Sequence, residues 1–262
     1  MDRESRFAGD HDPYRDLAHF YDPEHDRITD DVELYRDLAT LAGDDMLDVG
    51  CGTGRVALGL AEAGLKITGI DASDTMLSIA NGKLRQVAVT AKLQRRDLRE
   101  LDYRNEFDLA IVGLDVFGHL LTIPDQRTAL AGLHRALRDG GLVAIDVVNA
   151  TPEVLAARDG ALAVQAEFTL GTGQAVKHFV SWRVDYDLQQ IAVDHLYDSV
   201  NREGAVCRRQ GSFELHYYTR FELELLLIDA GFEVRNVYGD YLRAEYTATS
   251  ERLLMVAEKP GR

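Results

Sequence analysis

Met46-Leu47-Asp48-Val49-Gly50-Cys51-Gly52-Thr53-Gly54-Arg55 is the stretch whose reading decides the fold. It opens as a short apolar run of strand type. Three glycines follow in five positions, and Val56-Ala57-Leu58-Gly59-Leu60-Ala61 then continues as a helical pattern. Strand, glycine turn and helix bring a nucleotide-type ligand close to backbone. Glycine has no Cβ to hold the ligand off, and the free N–H groups at the helix start face it. The spacing is G-x-G-x-G, with Asp48 two places before the first glycine. A dinucleotide site wants G-x-G-x-x-G, and position 55 is arginine.

This stretch resembles motif I of the class I S-adenosylmethionine-dependent methyltransferases. The resemblance implies an α/β fold: a Rossmann-like seven-stranded sheet with helices on both faces. It implies S-adenosyl-L-methionine as cofactor and S-adenosyl-L-homocysteine as product. It places Asp48, Gly50, Cys51, Gly52 and Gly54 in the cofactor cradle.

The chain beyond supports that reading. Residues 65–71 form the next strand, and Asp71 lies 21 positions after Gly50. An acidic residue at that distance accepts hydrogen bonds from ribose hydroxyls. Ser73 is the better helix N-cap, which leaves Asp71 for a ligand. Asp71-Ala72-Ser73-Asp74-Thr75-Met76 resembles the family's motif II, which assigns Ala72 and Met76 to the cofactor, Met76 against adenine. Residues 91–96 form a third strand. By the same resemblance, Asp97 caps the adenine amino group and the Leu98 N–H meets a ring nitrogen.

Residues 107–113 read as a buried fourth strand, with Leu114 counted among the cofactor residues. Nothing in Leu114-Asp115-Val116-Phe117 resembles the Asn/Asp-Pro-Pro-aromatic motif of nucleic-acid amino-methyltransferases. Phe117-Gly118-His119-Leu120 is similar instead to a stretch of amino-sugar N-methyltransferases. His119 sits beyond the carboxyl end of a strand, where open α/β sheets place their chemistry. For a hydroxyl acceptor it is the general base, with activity rising through an imidazole pKa. For an amine acceptor it orients.

Upstream, residues 14–22 read as an amphipathic helix with Tyr14, Leu17, Ala18 and Tyr21 on one face, ended or redirected by Pro23. The pattern resembles the N-terminal lid of small-molecule N-methyltransferases. That resemblance assigns Tyr14 and Tyr21 to both cofactor and catalysis. Residues 31–41 form a second helix, with Val32, Leu34, Tyr35, Leu38 and Leu41 as its apolar positions, stopped at Gly43. After the helix at 124–137, Asp139-Gly140-Gly141 closes it and residues 142–149 form the fifth strand. Four alternating segments between 165 and 216 predict an antiparallel sheet inserted between the fifth and sixth strands. Trp182 and its tyrosines are expected to pack. The helix at 219–230 is expected to bury Phe221, Leu223, Leu225, Leu226 and Leu227. The last two strands form a hairpin that puts one antiparallel strand at the sheet edge, and Tyr238 to Tyr241 reads as a loop in preference to a substrate contact. The segments are then a lid (1–30), a cofactor-binding core (31–150), a substrate-side insert (151–217) and a C-terminal helix with two core strands (218–262).

The formal net charge is −15, with only the small basic clusters Arg95-Arg96 and Arg208-Arg209. Phosphate binding needs a basic face, so nucleic acid is not the expected partner. The acidity favours a neutral or cationic small-molecule acceptor. No apolar run approaches the ~18 residues of a membrane span. Residues 1–12 lack a signal peptide's apolar stretch, so the expected setting is cytoplasmic, with no membrane and with a homodimer as the oligomer to look for. Cys51 and Cys207 match no metal spacing, and no metal is expected. N-methylation of a small amine is the first reading and O-methylation the second. A non-catalytic S-adenosylmethionine-binding regulator and a dinucleotide oxidoreductase are the alternatives from other classes.

Overall fold

The computed structural model describes residues 12, 14–87, 89, 91–201 and 203–261. The first eleven residues of the expected lid lie outside them.

Strand β1 (Asp45–Val49) runs in the interior of a seven-stranded sheet. On one side lie β2 (Lys66–Asp71) and β3 (Ala91–Arg95). On the other lie β4 (Phe107–Val112), β5 (Leu137–Val148), β11 (Arg252–Glu258) and β10 (Glu233–Tyr238). The strands from β3 to β5 are parallel, while β11 runs against both β5 and β10. Successive residues point to opposite faces, and both faces are apolar. Leu47, Val49, Ala110 and Val112 meet α5 (Ile123–Ala136) and α7 (Arg220–Asp229). Met46, Leu109 and Ile111 meet α2 (Asp30–Ala42) and α3 (Arg55–Glu62). A parallel sheet buried on both sides requires such strands. Neighbours β2 and β4 leave β1 in opposite directions, which opens a crevice beyond the carboxyl end of β1. Ligands bind at that switch point.

The expected insert forms a second, four-stranded antiparallel sheet. It comprises β6 (Leu162–Thr169), β7 (Ala175–Asp185), β8 (Gln190–Val200) and β9 (Val206–His216), introduced by α6 (Pro152–Arg158). Helix α1 (Ala18–His25) packs Leu17 and Phe20 against Phe168, Val176 and Tyr197 of that sheet. Gly211 makes the approach possible, since a Cβ there would lie 2.3 Å from Leu17 Cδ1.

Several local expectations are corrected. The helix expected at 14–22 begins at Ala18, after a turn, and runs through Pro23. Its flanking residues are held on two sides, Asp22 by Lys83 at 2.9 Å and Glu24 by Tyr197 at 2.9 Å. Those contacts outweigh the backbone bond that proline forfeits. Leu41 is 79% exposed, and Ala39 and Tyr35 take the buried side of α2. In α7, Phe221 and Leu225 are exposed, and Leu223 and Leu227 alone are fully buried, one helical turn apart. Asp139-Gly140-Gly141 does not precede β5. It bulges inside it, between the pairs Phe107–Leu137 and Leu109–Leu142, with Gly140 at φ +81°. The reversed strand β11 lies one place in from the edge, and β10 is the edge.

Candidate active site

A cavity of about 1510 Å³ opens at the carboxyl ends of β1, β2 and β4 and is roofed by α1 and the insert sheet. Tyr14, Tyr21, Asp48, Gly50, Cys51, Gly52, Asp71, Ala72, Met76, Asp97, Leu98, Leu114 and His119 all line it. Gly54 does not. Its φ of +77° starts α3, and a Cβ would stand 3.0 Å from Ala80, so it serves the packing of α4 (Asp74–Leu84) under the turn.

The glycine turn owes its shape to two different demands. Gly50 has φ +68°, and a Cβ there would meet Val116 Cγ2 at 2.4 Å. Gly52 has φ +53°, and a Cβ there would find only the Gly50 carbonyl at 3.9 Å. The first glycine admits neighbouring chain, while the second faces open space. Asp71 fastens the turn, accepting from Gly52 N at 2.8 Å and from Ser73 N at 2.7 Å. Ser73 caps α4 by accepting from Met76 N, as the sequence predicts. Arg55, at the place of the missing third glycine, is locked in a paired hydrogen bond to buried Asp31. Asp97 is gripped by Arg99, which holds its carboxyl below the usual range.

Asp48 is 4% exposed, and its Oδ2 has no hydrogen-bond partner among the described residues. Burial, opposed by Arg55 and reinforced by Asp71, pushes its carboxyl up to about 7. Burial also raises Asp71. Two carboxyls raised by burial at a glycine turn are a seat for a cationic ligand.

At the end of β4 the backbone is strained, with Leu114 at φ +47° and Asp115 at φ +65°. Non-glycine residues hold such angles only where surroundings over-determine them, and such strain gathers at functional sites. Here Leu114 N donates to Asp146 Oδ2 at 3.0 Å, and Val148 N donates to Asp115 Oδ1 at 2.6 Å. Arg252 donates to both carboxylates, at 2.7 Å to Asp146 and 3.0 Å to Asp115, and Tyr241 Oη donates to Asp146 at 2.6 Å. Tyr241 is thus more than a loop residue.

Tyr14 Oη lies 3.2 Å from His119 Nε2, which joins the α1 segment to the turn after β4. Burial, helped by Tyr21 and Asp71, raises the Tyr14 phenol, and burial raises Tyr21. Both keep their protons. The walls around His119 push its imidazole down to about 4. Its ring is open to the cavity and not part of the core. Glu24, His178, His195 and Phe213 also line the cavity and belong to no sequence motif. The one available signal was His195 and Tyr197 at alternate positions of a strand, hence on one face.

Residues 46–141 match a family described as "Methyltransferase domain". Cypemycin N-terminal methyltransferase of a Streptomyces species is 30% identical over 219 residues, 84% of each chain. Ubiquinone biosynthesis O-methyltransferase of Dechloromonas aromatica is 29% identical over 151 residues, 54% of this chain and 63% of that one. The fold superposes on an S-adenosylmethionine-dependent methyltransferase from Clostridium acetobutylicum with a TM-score of 0.79 at 18% identity, covering 95% of this chain and 100% of that one.

Proposed function

The chain belongs to the class I S-adenosylmethionine-dependent methyltransferases, and from that premise we propose that it methylates an amine nitrogen of a small molecule. S-adenosylmethionine, when bound, supplies a methyl group on a cationic sulfonium and leaves as a neutral thioether. The residues fit that cation: Asp48 Oδ2 has no partner among the described residues, and burial raises both the Asp48 and the Asp71 carboxyls. Gly50, Gly52, Asp71 and Ala72 are the residues to cradle its amino-acid and ribose parts, and Met76, Asp97 and Leu98 its base.

One consequence concerns pH. Cofactor affinity is expected to rise as pH climbs through about 7 and then level off. Below that pH Asp48 is protonated, and a cation binds to its ionised form, so binding releases a proton. Titration calorimetry in two buffers of different protonation enthalpy reads that proton. Asp48→Asn should abolish the release. Identical heats in both buffers for the wild type would remove Asp48 from the cofactor site.

The observation that carries the amine reading is the Tyr14–His119 pair on the wall of an acidic cavity. Both groups are neutral at pH 7, so they orient a nucleophile without charge of their own. An amine needs only its lone pair, and orientation supplies the rate. The relative named as an N-terminal methyltransferase supports nitrogen. O-methylation is the second reading, because neutral His119 could also take a hydroxyl proton.

Kinetics of His119→Ala separate the two, with S-adenosylhomocysteine formation followed on amino sugars, peptides and catechols. With an amine acceptor, turnover should stay within about tenfold and KM should rise by roughly the worth of one hydrogen bond. A loss of about 10²–10⁴-fold in turnover is the signature of a lost general base and would assign O-methylation. Imidazole titration depressed to about 4 leaves no His119 limb between pH 6 and 8, unlike the rise an unperturbed histidine predicts.

A further inference from the structure

A line of polar side chains runs from α1 onto the insert sheet. Glu24, on α1, accepts from Tyr197 Oη at 2.9 Å, and its other oxygen lies 2.7 Å from His178 Nδ1. His178 Nε2 lies 2.9 Å from His195 Nδ1. The register of β7 on β8 pairs His178 with Tyr197, and their rings stack at 4.1 Å. His178 is 1% exposed.

Proton counting along this line gives a direction. A carboxylate only accepts. Burial works to raise Glu24, but the hydrogen bonds from His178 and Tyr197 hold it below the usual range, so it is ionised. His178 therefore donates from Nδ1. If each ring carries a single proton, His178 Nε2 is bare and accepts from His195 Nδ1. His195 Nε2 is then bare as well. That atom is shut off from solvent, has no partner among the described residues, and belongs to a residue that lines the cavity. A buried acceptor left unpaired calls for an explanation. The His195 ring packs on Phe213 at 4.9 Å, and His119 and Tyr14 pack on the same ring at 5.2 and 5.6 Å.

We propose that His195 Nε2 is a recognition atom for the methyl acceptor, taking a hydrogen bond from an N–H or O–H presented beside Phe213. Glu24 and His178 act through it as positioning residues. The proposal rests on the reading of this cavity as the acceptor site. Because Glu24 arrives on α1, docking of that helix on the insert is what fixes the His195 tautomer. His195 stays neutral, since burial lowers its imidazole to about 4 against the opposing pull of Glu24. The other titratable groups facing it are His25 on α1 and Asp194 on its own strand, while β9 offers Gly211 and Phe213.

Histidine ring-nitrogen NMR of the full chain saturated with S-adenosylhomocysteine reads the tautomer directly. At pH 7 His195 is expected to carry its proton on Nδ1. Glu24→Gln should lower its pKa further, because a carboxylate that favours the imidazolium is gone. A proton on Nε2 in the wild type overturns the proposal. Kinetics follow with glucosamine and alanyl-alanine as probe acceptors. His195→Phe should raise KM for the probe by roughly 10–100-fold, the loss of one buried hydrogen bond, with turnover within a few-fold. His195→Gln, whose amide oxygen can accept, should recover part of it. An unchanged KM in His195→Phe also overturns it. If the wild type methylates neither probe, the amine reading has failed, and the ring-nitrogen spectrum still decides His195.

Discussion

Replacing Arg252 by leucine is expected to cost about 3–5 kcal/mol of stability, the usual loss when one partner of a buried ion pair is removed. Arg252 lies between two carboxylates and donates to each, and Asp146 beneath it is 0% exposed. Without the guanidinium, two negative charges remain side by side with no counter-charge. Arg252→Lys should recover little, since a point charge cannot span both acceptors as the planar fork does. For a chain of this size the melting midpoint should fall by on the order of ten degrees. The loss has a functional side too, because the same carboxylates hold Leu114 and Asp115 at their left-handed angles. A midpoint for Arg252→Leu within a couple of degrees of wild type would show that the network is not under this tension.

Which parts of this site were readable in the sequence follows from how local their causes are. The turn from Gly50 to Gly54, the Ser73 cap and Asp71 at the end of β2 are fixed by neighbours a few places away, and their residue types announce them. Apolar runs without a period are less informative. Phe221, Leu223, Leu225, Leu226 and Leu227 all read as buried, but a helix on a surface buries one stripe, so Phe221 and Leu225 face outward. Gly54 reads as part of the ligand cradle, yet what it must accommodate is Ala80, a residue on another helix. Contacts set by sheet register were out of reach. Glu24 and His178 are 154 positions apart, and Asp146 and Arg252 are 106 apart. Alternation shows that His195 and Tyr197 share a face but not which element comes to cover it. Pro23 misled for the same reason: its local preference is overridden by Lys83, Thr53 and the insert gripping the residues beside it.

The other large effect is expected at the glycine turn, where alanine at two positions should fail in two different ways. Gly50→Ala carries a left-handed backbone cost of about 1–2 kcal/mol. It also drives a methyl into Val116, whose Cγ2, Cγ1 and Cβ would stand 2.4, 2.7 and 3.1 Å away. Valine is stiff at χ1 and cannot swing both methyls clear, so overpacking adds about 1–3 kcal/mol. The strain should spread into the Leu114–Asp115 turn, since Val116 is its next residue. Gly50→Ala is therefore expected to lose about 2–5 kcal/mol of folding stability and to bind S-adenosylmethionine poorly as a consequence. Gly52→Ala meets only the Gly50 carbonyl at 3.9 Å, so its stability should drop by the backbone cost alone, about 1–2 kcal/mol. Its methyl would occupy the open space that a ligand needs to approach backbone, so cofactor affinity should fall further than stability does. Thermal melts and calorimetric titration of both variants give the four numbers. Equal losses of affinity and stability in Gly52→Ala would mean that the space beside Gly52 is not where the cofactor lies.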